Sequence, residues 1–120
     1  MPYYYDLLGF LGWTVWVDEP EMLIVGNAQN LSLGFNCPAK IHPNDYDGPG
    51  MNHLGLAVDS QAAVDEMVNY LRKKGIPPLF NTPRHRPEFA DSPNDTYYQV
   101  MFETPDRILF EIVYIGSKEI

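Results

Sequence analysis

The sequence predicts an α+β fold of paired βαβββ units, of which the first lacks its initial strand. Three observations support this prediction. A capped amphipathic helix covers residues 60–74, stretches of alternating polarity flank it on both sides, and the first third of the chain repeats the same order in shorter form. The corresponding bounds are a truncated first unit at 1–36, a linker at 37–50 and a complete second unit at 51–115.

The helix at 60–74 is the clearest element. Asp59 and Ser60 supply side-chain oxygens for an N-cap, and Gly75 suits the left-handed residue that ends a helix. Three basic residues lie in the last turn, where the helix dipole favours positive charge. The apolar residues that recur at helical spacing are Ala63, Val64, Met67, Val68 and Leu71.

Four strands surround this helix in the second unit. They are Asn52–Val58, a short strand near Leu79, Tyr97–Glu103 and Ile108–Tyr114. The Pro-rich segment 81–96 is predicted to be a loop.

Two of these strands carry a polar residue on a face that is otherwise small or apolar. His53 shares its face with Gly55 and Ala57, and Glu111 is a lone carboxylate among apolar neighbours. If both residues bind one ion at ~2.0–2.2 Å, we expect their side chains to lie within about 5 Å of each other. A carboxylate without a partner is unfavourable on an apolar face, so the loss of Glu111 is expected to cost little stability.

The first unit has a helix end at 2–11 followed by three strands. The strands are Trp13–Val17, Met22–Val25 and Leu31–Asn36. When Gly9 is aligned with Gly75, nothing in the first unit corresponds to Asn52–Glu66, which is one strand and half a helix.

Composition excludes several classes of protein. The chain has 16 acidic and 8 basic residues and a net charge of −8, whereas a general nucleic-acid binder must neutralise phosphates with Lys and Arg. The single cysteine, Cys37, cannot form an intrachain disulfide. No apolar run reaches the ~20 residues that span a bilayer, and no basic residue precedes the apolar N-terminus as in a signal peptide. We therefore expect a soluble cytoplasmic protein that has no nucleic-acid or membrane partner.

The order of elements, with a histidine early in the second unit and a glutamate near its end, resembles the vicinal oxygen chelate superfamily. That superfamily contains glyoxalase I, bleomycin-resistance proteins and extradiol dioxygenases. The motifs that support the resemblance cover most of the chain: YDLLGFLGW (5–13), NHLGLAVDSQAAVDEMVNYLRKKGI (52–76), TPRHRPEF (82–89) and YYQVMFETPDRILFEIVY (97–114).

The resemblance implies a divalent metal ion (Zn, Ni, Mn, Fe or Co) on the floor of a cup-shaped sheet. By position, His53 and Glu111 match two of the usual three or four metal ligands, and Glu111 could double as a catalytic base. Ser32 aligns with Glu111 in the first unit, while the remaining first-strand ligand would lie on the missing segment. From the residues alone, His53 and Glu111 could instead hydrogen-bond each other across a polar cavity.

The candidate substrate-binding residues are Ser32, Tyr97, Gln99, Arg84 and His85. Tyr97 and Gln99 alternate toward the cup, where ordinary strand packing is the alternative reading. Arg84 and His85, with Arg86 after them, concentrate basic charge that could bind an anionic group, although such a run is commonly a solvated loop.

The resemblance implies a small-molecule enzyme that performs metal-assisted lyase, isomerase or dioxygenase chemistry on a substrate with adjacent oxygens. The alternatives are a metal-free binding protein of the antibiotic-resistance type and a truncated, catalytically inactive member of the superfamily. The unpaired edge expected at Leu31–Phe35 and the aromatic helix remnant favour a homodimer that buries residues 2–16 or 31–36. In such a dimer, His42 or His85 could supply a missing ligand.

Overall fold

The computed structural model of the chain describes residues 2–37 and 44–118. The backbone divides into two compact units, Met1–His42 and Pro43–Ile120. No helix within the described ranges is both long and apolar enough to cross a lipid bilayer.

The first unit packs one helix against a three-stranded antiparallel sheet. Its elements are α1 (Pro2–Phe10), β1 (Thr14–Glu19), β2 (Met22–Gly26) and β3 (Ser32–Asn36), and the strand order is β1-β2-β3. The ring of Tyr4 on α1 stacks on that of Phe35 on β3, with 4.3 Å between their centroids. Phe35 and Leu33 are half-buried, whereas Ser32 is exposed, so the alternation predicted for this strand is present.

The second unit contains every element of a complete βαβββ unit. Its elements are β4 (Leu54–Ala57), α2 (Gln61–Lys74), β5 (Leu79–His85), a short 3₁₀ helix (Pro87–Phe89), β6 (Asp95–Glu103) and β7 (Leu109–Ser117). The strand order is β4-β7-β6-β5, with β4 parallel to β7 and the other neighbours antiparallel. The predicted α+β fold, with a first unit that lacks its initial strand, is confirmed.

Helix α2 has the caps that its sequence predicts. The Ser60 hydroxyl oxygen accepts a hydrogen bond from the backbone N–H of Ala63 at 3.0 Å, and Gly75 ends the helix with φ of 73°. Its buried residues are Val64, Met67, Val68 and Leu71. This apolar face contacts strands β5, β6 and β7, so α2 covers one face of the sheet.

Strand β5 differs from the sequence prediction, which gave a short strand followed by an irregular loop from residue 81. The strand continues to His85, although Pro83 lacks the N–H that a regular ladder needs. The Thr82 hydroxyl compensates, because it donates to the Leu79 carbonyl at 2.7 Å and accepts from the Met101 N–H at 2.9 Å. This pairing with a distant strand cannot be seen in the local pattern.

Strand β7 is central in its sheet, between β4 and β6. Residues 109–113 are all buried, so side chains on both faces of this part of the strand are covered. Glu111 therefore projects from the most enclosed strand of the second unit. By contrast, β3 pairs with β2 alone in the part of the chain that the structure describes, and the homodimer stays a prediction.

Candidate functional site

A cavity of about 590 Å³ lies on the second unit's sheet. It occupies the face opposite α2, because Tyr98, the residue between the cavity-lining Tyr97 and Gln99, donates from its hydroxyl to Asp65 on that helix. The wall is formed by His53, Tyr97, Gln99, Met101, Leu109 and Glu111, and the rim includes Tyr46, Phe80, Arg86 and Phe89. The volume is in the range of sites for small organic molecules.

Glu111 is a buried carboxylate at the floor of this cavity, with 5% of the residue exposed. Its oxygens accept hydrogen bonds from the Tyr97 hydroxyl at 2.8 and 3.0 Å and from the Gln99 side-chain amide. The expectation of an uncompensated carboxylate is therefore wrong. Strand β6 supplies two donors that would lose their acceptor if Glu111 were truncated, so its loss should cost stability.

Gly55 gives the carboxylate its space. The parallel register of β4 and β7 places Gly55 directly opposite Glu111. A Cβ atom added at Gly55 would lie 3.1 Å from Glu111 Oε1, which is closer than ordinary van der Waals contact. A side chain at this position would displace the carboxylate.

His53 faces Glu111 across the floor, with Nε2 3.7 Å from Oε1. This separation lies within the ~5 Å expected for two ligands of one ion. The Asn52 amide donates through Nδ2 to the Tyr46 carbonyl at 2.8 Å, so its Oδ1 is the acceptor for His53 Nδ1 at 2.8 Å. His53 accordingly carries its proton on Nδ1 when neutral, and its Nε2 lone pair is directed toward the Glu111 carboxylate.

This arrangement places two hydrogen-bond acceptors, His53 Nε2 and Glu111 Oε1, close to each other. A neutral imidazole Nε2 and an ionised carboxylate oxygen do not attract each other at 3.7 Å. A proton on Nε2, or a cation or hydrogen-bond donor placed between the two atoms, relieves the opposition. The pair is therefore suited to bind a positively polarised group.

Gln99 connects the floor to Arg86. Because its amide nitrogen donates to Glu111, its Oε1 is free to accept from Arg86 Nη1, at 3.2 Å. Arg86 also donates through Nε to Glu88 at 2.7 Å, and its guanidinium lies over the ring of Phe89, 4.8 Å from the centroid. Three contacts thus hold the guanidinium at the cavity.

Tyr97 is fixed as a hydrogen-bond donor. Burial, the hydrogen bond to Glu111 and the charge of Glu111 raise the pKa of Tyr97 to about 12, although the charge of Arg86 acts in the opposite direction. The hydroxyl is therefore protonated at neutral pH. On the opposite face, burial and Asp65 likewise raise the pKa of Tyr98 to about 12.

Arg84 and His85 do not lie on the cavity wall. Arg84 is opposite Gln99 in the register of β5 and β6, but its side chain is exposed and does not line the cavity. His85 is on the α2 side of the sheet, where its Nδ1 hydrogen-bonds the Thr96 hydroxyl and its ring packs 4.6 Å from that of Tyr98. The basic residue that lines the cavity is Arg86, the third in the run.

The remaining predicted residue, Ser32, belongs to the first unit and is exposed on β3. Its role in substrate binding stays a prediction. His42, named as a source of a further ligand, lies outside the described residues.

Sequence reasoning missed the aromatic rim. Tyr46, Phe80 and Phe89 come from segments predicted as linker, short strand and loop, and those patterns carry no sign of a shared cavity. Phe80 has a φ of 59°, a left-handed conformation that is unfavourable for a bulky residue. The residue is 52% exposed, so burial does not explain the conformation.

The donor set fits two coordination positions of a divalent ion. An imidazole nitrogen and a carboxylate oxygen are ligands for Zn and for other first-row transition metals. Within residues 2–37 and 44–118, no group of three or more His, Cys, Asp and Glu side chains converges to complete the set. Water, substrate or residues outside these ranges would have to supply the other positions.

Comparison with known sequences finds a relative for part of the chain. No protein-family model matches the chain. It is 41% identical over 64 residues to the uncharacterized protein YqjT of Bacillus subtilis. The match covers 53% of this chain and 46% of YqjT, so the chain spans about half the length of the curated relative that it matches.

Solved structures match over most of the chain. A candidate glyoxalase from Bacillus halodurans superposes with a TM-score of 0.76 at 28% identity, covering 94% of this chain and 83% of the other. A glyoxalase/bleomycin resistance protein from Albidiferax ferrireducens has a TM-score of 0.70 at 18% identity, covering 93% and 85%. A glyoxalase/bleomycin resistance protein/dioxygenase from Alicyclobacillus acidocaldarius has a TM-score of 0.63 at 16% identity, covering 96% and 83%.

The fold is therefore that of the glyoxalase/bleomycin-resistance/dioxygenase class. This is the fold that the resemblance of the sequence motifs to the vicinal oxygen chelate superfamily predicts.

Proposed function

We propose that this chain binds a small organic molecule in the cavity of its second unit, with His53 and Glu111 at the reacting end. The observation that carries the proposal is the buried Glu111 carboxylate at the floor of an open cavity, with His53 Nε2 3.7 Å away. A carboxylate is expensive to bury unless its oxygens are satisfied. Tyr97 and Gln99 satisfy them here while leaving the His53 side open to a ligand.

The chain's own residues fix the polarity of this floor. Asn52 holds the proton of His53 on Nδ1, so Nε2 presents an acceptor. Tyr97 holds the carboxylate of Glu111 in place and stays protonated. A ligand hydroxyl that reaches the gap between His53 and Glu111 could donate to either atom, and Glu111 is placed to take its proton.

The glyoxalase-like form of the proposal adds a divalent ion at His53 Nε2 and Glu111. An ion bound there would supply Lewis-acid chemistry on two adjacent oxygens of the substrate, as lyases, isomerases and dioxygenases of this superfamily require. The short distance between His53 Nε2 and Glu111 Oε1 favours this form, because a cation between these two acceptor atoms would be attracted by both.

The second candidate is metal-free binding of a small molecule. The observation in its favour is that both oxygens of Glu111 already accept from Tyr97 or Gln99, while a third ligand is lacking among the described residues. The aromatic rim would hold the flat body of such a ligand.

Metal analysis combined with ligand-observed NMR tests both forms. The full chain, purified without chelator, is assayed for bound metal and then titrated with Zn, Ni and Mn, next to His53→Ala and Glu111→Gln. The glyoxalase-like form predicts about one ion per chain, lost in both variants. Fragment binding that is unaffected by EDTA supports the metal-free form, and a chain that binds no fragment under either condition contradicts the proposed function.

A further inference from the structure

Arg86 makes one end of this cavity positively charged, in contrast to the end at Glu111. It lines the cavity together with Glu111, and the Gln99 amide spans the space between the two. One side of the site therefore carries a guanidinium and the other a carboxylate. A ligand that spans the cavity meets opposite charges at its two ends.

The guanidinium of Arg86 has more N–H donors than the two hydrogen bonds in the structure use. Of its five N–H groups, the structure assigns one on Nε to Glu88 and one on Nη1 to Gln99. The other three N–H groups are on Nη1 and Nη2, and two neighbouring N–H groups of a guanidinium can bind a carboxylate in a bidentate manner. Glu88 does not cancel this capacity, because its side chain is 55% exposed and bonds the Nε position.

Arg86 is also held in one orientation. Its side chain is 24% exposed, and its guanidinium lies 4.8 Å from the centroid of the Phe89 ring. The Phe89 ring in turn makes an edge contact with Tyr97 at 5.3 Å. An arginine that packing and hydrogen bonds already restrain loses little freedom when it binds an anion.

The rim next to Arg86 suits a flat ligand. Phe80 and Phe89 are 52% and 54% exposed on the rim of the cavity, and aromatic faces exposed in a cavity stack planar groups. The other end of the site is occupied by acceptor atoms, namely His53 Nε2 and the Glu111 oxygens. That end requires a hydrogen-bond donor.

We propose that Arg86 is an anion-binding residue and that the cavity takes a small planar organic acid, with its carboxylate at Arg86 and a hydroxyl at Glu111. This inference rests on the proposed binding function and names its ligand class. It assigns the anion to Arg86 and not to Arg84, which is the neighbouring arginine on the exposed part of β5.

Three matched compounds test the assignment. The probes are 4-hydroxybenzoate, 4-hydroxybenzamide, which lacks the anionic group, and 4-methoxybenzoate, which lacks the donor. Their dissociation constants are measured by NMR titration of the full chain in EDTA, so that metal chelation does not contribute. We expect 4-hydroxybenzoate to bind about tenfold or more tightly than either analogue, in line with hydrogen bonds to charged groups.

Two variants with the same charge change separate Arg86 from general electrostatics. Arg86→Gln should abolish the preference for the benzoate over the benzamide, whereas Arg84→Gln should preserve it. Arg86→Lys, which keeps the charge but loses the planar fork, should retain part of the preference and shows that the site is still folded.

The outcomes distinguish this inference from the proposed function. Benzoate and benzamide that bind equally well, or a preference that Arg84→Gln reduces as much as Arg86→Gln does, would overturn the role of Arg86 and leave small-molecule binding intact. If none of the three compounds binds, the ligand class named here is wrong. The proposed function is then decided by the broader fragment experiment.

Discussion

The two units contain the same run of three antiparallel strands beside a helix, but their last strands have different surroundings. In the first unit β3 is an edge strand in the described part of the chain, and Ser32 on it is exposed. In the second unit β7 is flanked by β4 and β6, and Glu111 on it is buried. The second unit therefore differs from the first by the additional parallel strand β4, which helps to enclose Glu111.

Strand β4 and the residue just before it contribute to the site at two positions. Gly55 leaves the space that the Glu111 carboxylate occupies, and His53, just before the strand, places its Nε2 opposite the same oxygen. Strand β6 on the other side supplies the donors Tyr97 and Gln99. The site thus depends on the contact of three strands, and each prediction below compares one of these positions with a counterpart elsewhere.

The largest effect is expected from Glu111→Ala. It leaves the Tyr97 hydroxyl and the Gln99 amide without their acceptor, which should lower the free energy of unfolding by about 1–3 kcal/mol and remove ligand binding. Ser32→Ala, at the aligned but exposed position of the first unit, should change stability by less than about 0.5 kcal/mol. Urea denaturation followed by far-ultraviolet circular dichroism, which reports on the helices and strands of both units, measures both values.

Glu111→Gln is the control for this comparison. It keeps a carbonyl acceptor and the volume of the side chain, so it should retain more of the stability than Glu111→Ala while losing the charge. Equal stability of Glu111→Ala and the parent chain would contradict the hydrogen-bonded arrangement described here.

The second-largest effect is expected from Gly55→Ala. The added Cβ would lie 3.1 Å from Glu111 Oε1, so it should displace the carboxylate and weaken ligand binding several-fold with only a modest loss of stability. The matched control is Gly34→Ala on β3, where the nearest side-chain atom, Cγ1 of Ile24, would be 3.9 Å away. Gly34→Ala should leave binding unchanged, and equal effects of the two variants would refute the role of Gly55.

A third prediction concerns alkaline pH. The pKa of Tyr97 is raised from 10.0 to about 12, so the unfolded chain loses this proton first as the pH rises. The contribution to stability is complete below pH 10 and is lost between pH 10 and about 12. Tyr97→Phe should reduce this decline, and Tyr98, whose pKa is raised by a similar amount, should account for a further part.

Ultraviolet absorbance of tyrosinate, combined with denaturation at both ends of this pH range, measures the effect. A titration in which Tyr97→Phe removes a group with the ordinary pKa of 10.0 would show that the hydroxyl is not held by Glu111.

The smallest effect is expected at Phe80. Its φ of 59° is unfavourable for phenylalanine and favourable for asparagine, so Phe80→Asn should leave the melting temperature unchanged or raise it slightly. Because the ring lines the cavity, the same variant should weaken the binding of a planar ligand. A variant that loses stability and keeps its affinity would show that the ring has a structural role only.

Much of the second unit could be predicted from the sequence because its signals are local. The caps of α2 and the alternation around His53 and Glu111 are each contained in fewer than about fifteen residues, the range in which period and propensity are informative. These patterns are enough to predict that His53 and Glu111 lie on one face of the sheet.

The rest depends on pairing between distant strands. The sequence does not reveal that β5 continues through Pro83 or that His85 pairs with Tyr98, which places His85 on the face opposite the cavity. The same holds for Gln99, whose two hydrogen bonds connect Arg86 to Glu111. Local patterns pick out the basic run, but they do not show that Arg86 is its member on the cavity wall, and substrate binding by Arg84 and His85 stays a prediction.

Protein-observed NMR tests the central claim most directly. The full chain, labelled with ¹⁵N, is titrated with a set of small planar acids, and shifts are mapped onto both units. The account predicts the largest changes at the Gln99 side-chain amide and at the backbone N–H groups of Gly55, Tyr97 and Glu111. Changes confined to β3 around Ser32, with no response at Gln99 or Glu111, would contradict the assignment of the site to the second unit.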